Sequence, residues 1–314
     1  MNGQFLLAPG RGSYARDELG TLTRLEAEVG AAATTLLDTL ESLRQGYDPD
    51  LPTLRELDQA PAFKPGLHLP GRNASPLIYA CTLLAELRHR VQGGSTDCVA
   101  GNSLGFYTAL ALSDALSPEE GYRLVSTMAR LQEEGPKGGQ ILWTLLDDDW
   151  NVLPARESQL QQILRIPDLD LSIRLGGHVV LAGSEKALAQ ALAELPKVKL
   201  GKREFPFRLP FHGPFHTPLL ESVAARARSE LADLDIRRPR ALLIDGRGFE
   251  WSPLATDPRA LLDYTLGPQI TRTFDFTTMI EKVLLDYAPT YILLLEPGAS
   301  LRAPVGHIQK WLAL

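Results

Sequence analysis

A short run, Asp97 to Ala100, stops at Gly101-Asn102-Ser103-Leu104-Gly105, and an Ala/Leu-rich helical stretch follows as far as Leu116. A strand ending in a Gly-rich turn before a helix is common in α/β folds. The N-terminus repeats the pattern: Gln4 to Ala8 is apolar and stops at Pro9-Gly10-Arg11-Gly12-Ser13. Further strands are predicted at Ala241 to Ile244 and Thr290 to Leu295. Helical spacing covers Leu22 to Leu43, Leu77 to Val91, a stretch ending near Leu234, and Phe274 to Leu285. Ser75-Pro76 reads as the opening of the Leu77 helix, with proline in the first turn it favours. Ser117-Pro118-Glu119-Glu120 is a stronger start, with a serine cap, proline at N1 and glutamate at N3, for a helix to about Glu134. Leu51 to Pro70 is Pro-rich and polar and reads as an exposed connection.

Between Gly139 and Phe205 the pattern changes. Gln140 to Leu146 is a strand, Arg156 to Leu164 a helix, Leu169 to Leu175 a strand, and Gly176-Gly177 a hairpin turn. His178 to Ala182 is a strand, Ser184 to Leu195 a helix, and the last strand falls within 197–207. This β-α-β-β-α-β order is that of a ferredoxin-like unit. The chain is therefore expected to divide into a core of residues 1–138 and 206–314 with a ferredoxin-like subdomain, 139–205, inserted in it.

Composition narrows the function. With 32 basic and 38 acidic side chains the formal charge is −6, which argues against a nucleic-acid partner held by a basic face. No apolar run approaches the ~18 residues of a membrane span, and Phe5-Leu6-Leu7-Ala8 is too brief for a secretory signal. Cys81 and Cys98 form neither a disulfide framework nor a zinc spacing. A soluble, cytoplasmic protein without a metal site is expected, and its chemistry is to be sought among six histidines.

Gly101-x-Ser103-x-Gly105 fits a nucleophile elbow, a turn that lifts a serine oxygen clear of the backbone. The following helix start points its first N–H groups at the site, which suits a developing oxyanion. The alternative is an ordinary Gly-Ser turn. A serine nucleophile needs a base. His178 reads as a solvated strand residue and His307 as a tail residue. His212 and His216 lie in a stiff loop, Pro210-Phe211-His212-Gly213-Pro214-Phe215-His216-Thr217-Pro218. On residue chemistry alone the choice between them stays open, and so does a structural role for either.

Gly-Pro-Phe-His-Thr-Pro-Leu-Leu at 213–220, Gly-x-Ser-Leu-Gly at 101–105 and Pro-Gly-Arg-Gly-Ser at 9–13 together resemble the malonyl-CoA:acyl-carrier-protein transacylase family, which includes polyketide synthase acyltransferase domains. The similarity extends to Val179-Val180-Leu181-Ala182-Gly183 and to Leu295-Glu296-Pro297-Gly298-Ala299-Ser300-Leu301, so it spans essentially the whole chain. It implies an α/β-hydrolase-like core with an inserted ferredoxin-like small subdomain. It implies Ser103 as nucleophile, His216 as general base, and the backbone N–H groups of Leu104 and Arg11 as oxyanion hole. The reaction would be ping-pong transfer of an acyl group between CoA or acyl-carrier-protein thioesters, in polyketide or fatty acid biosynthesis, with no bound cofactor. The position matching the family's histidine-orienting segment is Asp245, which invites a Ser103–His216–Asp245 triad; a turn-forming Asp-Gly is the alternative.

This chain also departs from the family. The residue between the first glycines is Arg11 rather than glutamine, Asn102 replaces the elbow histidine, Phe106 replaces a glutamate, and Ser75 replaces the glutamine before Pro76. Met128 stands where malonyl-type relatives carry an arginine that pairs with the substrate carboxylate. Arg130 lies about 200° further around the helix. An acyl pocket of Asn102, Phe106, Met128 and Phe215 implies an uncharged acyl group, acetyl or longer. Acyl hydrolysis from carrier proteins is the alternative activity, and a catalytically degenerate scaffold a third reading. The implied partner is an acyl carrier protein and the implied state a monomer. Basic docking candidates are Lys197, Lys199, Lys202, Arg203 and Arg208, or Arg237, Arg238 and Arg240.

Overall fold

The computed structural model describes residues 3–313. Four of the expected apolar runs pair in parallel, in the spatial order Leu242–Ile244, Cys98–Gly101, Gln4–Ala8, Tyr291–Leu294. A short antiparallel strand, Glu250–Trp251, covers one edge. Helices on both faces explain why Phe5, Leu6, Leu7, Val99, Ala100, Leu243 and Ile244 are wholly buried. The register sets Ala8 opposite Gly101, so the two glycine-rich turns emerge side by side at the carboxyl end of the sheet.

The second sheet runs Phe274–Asp275, Leu169–Leu175, His178–Gly183, Gly139–Thr144, Phe207–Leu209. Successive side chains along each strand point to opposite faces. Ile141, Trp143, Val179 and Leu181 pack on the helices Pro154–Ile163 and Glu185–Glu194 in a core of their own. Gln140, Leu142, Ile173 and Val180 face the first sheet's side instead. Residues 139–205 supply only the three inner strands; the two edge strands, Phe207–Leu209 and Phe274–Asp275, come from outside that span. The last strand expected within 197–207 is different too. Val198–Leu200 and Arg203–Phe205 pair with each other as a separate hairpin, closed by Gly201 at φ +57.

Three further expectations are corrected. The helical stretch at Leu22 to Leu43 is two helices, Thr21–Val29 and Ala31–Tyr47, broken at Gly30, whose φ of 81 no helix accommodates. Leu51 to Pro70 is not a solvated connection. It contains the helices Leu54–Asp58 and Pro65–His68, and the buried Asp58 carboxylate accepts from Tyr14 Oη at 2.6 Å and from the N–H groups of Leu22 and Thr23. That carboxylate caps the first helix of the core.

The third concerns Pro76, which lies inside the helix Gly71–Val91 rather than at its start. Proline has no N–H, so the carbonyl of Arg72 loses its helical donor. Arg44, only 1% exposed, fills the gap: Nη1 donates to Arg72 O at 2.9 Å, Nε to Pro52 O at 2.6 Å and Nη2 to Asn73 Oδ1 at 2.6 Å. The planar fork reaches three acceptors in fixed directions, which a lysine cannot do. Arg44→Met is expected to lower the unfolding free energy by about 3 kcal/mol, read from urea midpoints, with Arg44→Lys recovering only part of it.

Candidate active site

Ser103 joins the strand Cys98–Gly101 to the helix Leu104–Leu112 with φ 56 and ψ −110. For a serine this left-handed φ costs about 1–3 kcal/mol, held in place by the packing on either side. A Cβ on Gly101 would lie 2.0 Å from the carbonyl of Gly105, and one on Gly105 would lie 2.4 Å from the carbonyl oxygen of Ala8. Glycine is required at both positions because backbones meet there. Asn102 N–H donates to Ala8 O at 3.0 Å and ties the two turns together.

His216, 6% exposed, places Nε2 2.7 Å from Ser103 Oγ and Nδ1 2.8 Å from the carbonyl oxygen of Gln269. A carbonyl only accepts, so Nδ1 carries the proton and Nε2 is bare, ready to accept from the serine hydroxyl. Burial pushes the His216 pKa down to about 4, with the Gln269 carbonyl acting in the opposite sense. The ring is therefore neutral at pH 7, as a base must be. Gln269 also donates from Nε2 to Ser103 O at 3.1 Å and accepts from Tyr264 Oη at 3.0 Å. One residue thus orients the histidine and anchors the serine backbone. Nothing local in Gly267-Pro268-Gln269 announces that role.

The expected Ser103–His216–Asp245 triad does not form. Asp245 is wholly buried, but its carboxylate serves its own turn: it accepts from the N–H of Arg247 at 2.8 Å and of Phe249 at 3.2 Å, from Trp251 Nε1 at 3.1 Å, and from the Arg247 guanidinium. The Nδ1 proton it was expected to hold belongs to Gln269.

Leu104 opens its helix, so its N–H has no partner within it and lies next to Ser103. Arg11 sits in the neighbouring turn. Its Nη2 donates to Phe211 O at 2.7 Å and Leu69 O at 3.3 Å, and the guanidinium lies 5.1 Å over the Phe215 ring. Burial lowers its pKa to about 10, opposed by Glu133, and leaves it a cation.

Two cavities meet at Ser103. A small one, about 20 Å³ and roomy enough for one water, is lined by Leu104, Tyr107, Val125, Met128, Phe215 and Ile270. A cleft of about 1010 Å³ between the two sheets is lined by Asn102, Leu142, Ile173, Val180, His212 and Phe215 among others. The expected pocket residues therefore separate. Met128 and Phe215 line the small cavity, while Asn102 faces the cleft. Phe106 lines neither: it is wholly buried, with its ring edge-on to Tyr264 at 5.3 Å. One residue further along the helix, about 100° around, Tyr107 takes the place expected of it. Arg130 is bound to Glu134 and Glu230.

His178 and His307 are not a solvated strand residue and a tail residue. The helix Arg302–Trp311 folds back over the Gly176-Gly177 turn, Gly177 N–H donates to His307 Nδ1 at 3.3 Å, and the two rings lie 5.1 Å apart along the cleft. Burial lowers both to about 4. His212 Nδ1 meets Gln140 Oε1 at 2.7 Å. Of the basic candidates, Arg208 is paired with Glu185 and Arg237 with Asp235, whereas Lys197, Lys199, Lys202 and Arg203 lie on or beside the hairpin at the cleft. Among the described residues no cluster of histidine, cysteine, aspartate or glutamate is arranged for a metal ion, and no helix is long and apolar enough to cross a membrane.

No family model matches the chain. Individual proteins do. It is 30% identical over 148 residues, 47% of its length, to a phenolphthiocerol/phthiocerol polyketide synthase protein of Mycobacterium tuberculosis, of which it spans only 7%. It is 26% identical over 275 residues to the malonyl CoA-acyl carrier protein transacylase of Salmonella typhimurium, covering 87% of this chain and 82% of that one. Against the Escherichia coli transacylase it is 27% identical over 76% of this chain and 72% of that one. The fold matches the crystal structure of the Synechocystis malonyl-CoA:ACP transacylase with a TM-score of 0.80 over 98% of this chain and 94% of that one, at 19% identity. It also matches a malonyl-transacylase solved in complex with its type II polyketide synthase acyl-carrier protein, with a TM-score of 0.78 over 98% and 93% of the two chains, at 18% identity.

The burial of His216 sets its pH behaviour. Its imidazole resonances should titrate with a midpoint near pH 4 rather than 6.5. Between those values the unfolded chain takes up a proton that the folded site refuses. Stability contributed by this residue is present above pH 6.5 and lost as pH falls toward 4. NMR titration against urea midpoints over the same range checks both.

Proposed function

We propose that the chain is a member of the malonyl-CoA:acyl-carrier-protein transacylase and polyketide synthase acyltransferase family, supported by its 26% and 27% identity to two transacylases over most of their length, and that it is an acyltransferase working through an ester on Ser103. The observation that carries this reading is the 2.7 Å contact between Ser103 Oγ and a His216 Nε2 left bare by the Gln269 carbonyl. Ser103 Oγ attacks the carbonyl carbon of an acyl thioester while its proton passes to His216 Nε2. The tetrahedral oxyanion falls to the N–H groups of Leu104 and Arg11. As it collapses, the C–S bond breaks and the leaving thiolate takes the proton from His216, leaving the acyl ester. A second thiol enters, gives its proton to the now neutral His216, attacks the ester, and Ser103 recovers its hydrogen as the new thioester leaves. Such a positioned base contributes about 10²–10⁴-fold. The scheme uses groups of this chain alone.

The acyl group in this reading is small and uncharged. Tyr107, Val125, Met128 and Ile270 make the apolar part of the lining of a space of about 20 Å³, enough for a methyl group, which Arg11, Ser75 and Gln132 also line. A malonyl carboxylate there would meet Met128 in place of an arginine, since Arg130 is tied to two glutamates, while Arg11, which also lines this space, donates from Nη2 to two carbonyls and lies over the Phe215 ring. An acyl carrier protein is the proposed partner, supported by the solved complex of a similar fold with its carrier protein and by the lysines beside the cleft.

Intact-mass spectrometry after rapid mixing with acetyl- and malonyl-thioesters tests this. An acetyl adduct on Ser103, absent in Ser103→Ala, should form faster than a malonyl adduct, and Met128→Arg should raise malonyl loading about tenfold or more, as one new ion pair allows. Faster malonyl loading by the native protein would sink the uncharged-acyl reading. Free acid in place of an acylated acceptor would replace transfer with hydrolysis.

A further inference from the structure

Three consecutive hydrogen bonds determine which atom His212 offers to the cleft. Ser172 Oγ donates to the carbonyl oxygen of Phe215 at 2.7 Å, so its only hydrogen is committed and it accepts from Gln140 Nε2, also at 2.7 Å. That fixes the amide of Gln140, whose Oε1 must accept from His212 Nδ1 at 2.7 Å. Gln140 and Ser172 are 2% and 0% exposed, which keeps water out of the chain. His212 is therefore the Nδ1–H tautomer, and its Nε2 is an acceptor with no partner among the described residues. Burial and the charge of Arg11 both act against protonating this ring.

His212 lines the same cleft as Ser103. So does Asn102, 9% exposed, whose buried Oδ1 also has no partner. Arg11 supplies donors to the same cleft, and Leu142, Ile173, Val180, Leu209 and Phe215 add apolar side chains to its lining. Two acceptors without partners, His212 Nε2 and Asn102 Oδ1, beside largely apolar side chains call for an occupant that brings N–H groups. The thiol arm shared by CoA and a carrier protein's phosphopantetheine has such a group, an amide N–H two carbons from the reacting sulfur.

We propose that His212 Nε2 accepts this amide N–H and thereby sets the thioester sulfur against Ser103. The inference rests on the acyltransferase reading and names the substrate contact within it. The contact is linked to the base as well: the bond chain from His212 ends on the Phe215 carbonyl, part of the peptide that carries His216. Substrate seated on His212 is registered against the group that will move its proton.

The test compares acetyl-N-acetylcysteamine with an analogue whose amide N–H is replaced by an ester oxygen. The native protein should prefer the amide by about fivefold or more in kcat/KM, the factor that corresponds to leaving one buried acceptor without its donor. In His212→Phe the preference should fall to near one. His212→Gln, whose side-chain carbonyl can take the N–H, should restore part of it, a pattern that mere damage to folding would not produce. Repeating the His212→Phe comparison with acetyl-CoA and with an acetylated carrier protein identifies the source of the arm by which substrate loses rate; loss with neither overturns the proposal. An amide preference unchanged in His212→Phe, or one abolished instead by Asn102→Leu, overturns it while leaving the acyltransferase reading standing. Absence of any Ser103 adduct in the native protein overturns both.

Discussion

The hydrogen bond from His216 Nδ1 to the Gln269 carbonyl, 2.8 Å long, is the contact on which the remainder of the site depends. It chooses the tautomer, and the tautomer decides whether the Ser103 hydroxyl meets an acceptor or a second donor. Gln269 is itself held. Tyr264 Oη donates to its side chain, the Arg247 guanidinium lies 4.0 Å over the Tyr264 ring, and Asp245 holds Arg247 at 2.6 Å. Asp245 thus does belong to the machinery that orients the histidine, but four contacts away from it. A neutral carbonyl at Nδ1 has a physical consequence: no buried carboxylate stabilises the imidazolium, so burial keeps the resting ring neutral to about pH 4.

Two architectural constraints bring these groups together. Parallel pairing of Gln4–Ala8 with Cys98–Gly101 delivers the Arg11 and Ser103 turns to one edge, and glycine at 101 and 105 lets the backbones close to contact. The small sheet then contributes one of its faces to the cleft. Its outward side chains are packed under two helices, and its inward ones, Gln140, Leu142, Ile173 and Val180, make the wall opposite Ser103. Because Phe207–Leu209 and Phe274–Asp275 complete that sheet from the flanking chain, the loop bearing His216 and the segment bearing Gln269 lie just beyond and just before its edge strands. The cleft and the base are positioned by the same strands.

Much of the fold is legible in the chain, and the departures from expectation share a cause. Strand–turn–helix signals at 4–13 and 97–116, and the Ser117 cap, which accepts from Glu120 N–H at 3.2 Å, depend on neighbours in sequence. Pro76 departs because a proline inside a helix is tolerable only when something distant takes the freed carbonyl, and Arg44 is 28 residues from Arg72. Leu51 to Pro70 reads as solvated because its polar residues have buried partners elsewhere, Asp58 above all. Phe106 is placed in the pocket by position alone, and one step of helix rotation puts Tyr107 there instead.

By itself the sequence determined that a serine would stand on a sharp turn between a buried strand and a helix, since identity and local conformation are properties of a short stretch of chain. Tertiary structure alone decided what faces that serine. Gln269 lies 53 residues from His216 and 166 from Ser103, and Gln140 lies 72 from His212, yet these pairs set every tautomer that matters. A hydrogen bond is directional to within a fraction of an ångström, and partners so far apart in sequence carry no mutual periodicity from which their meeting can be read.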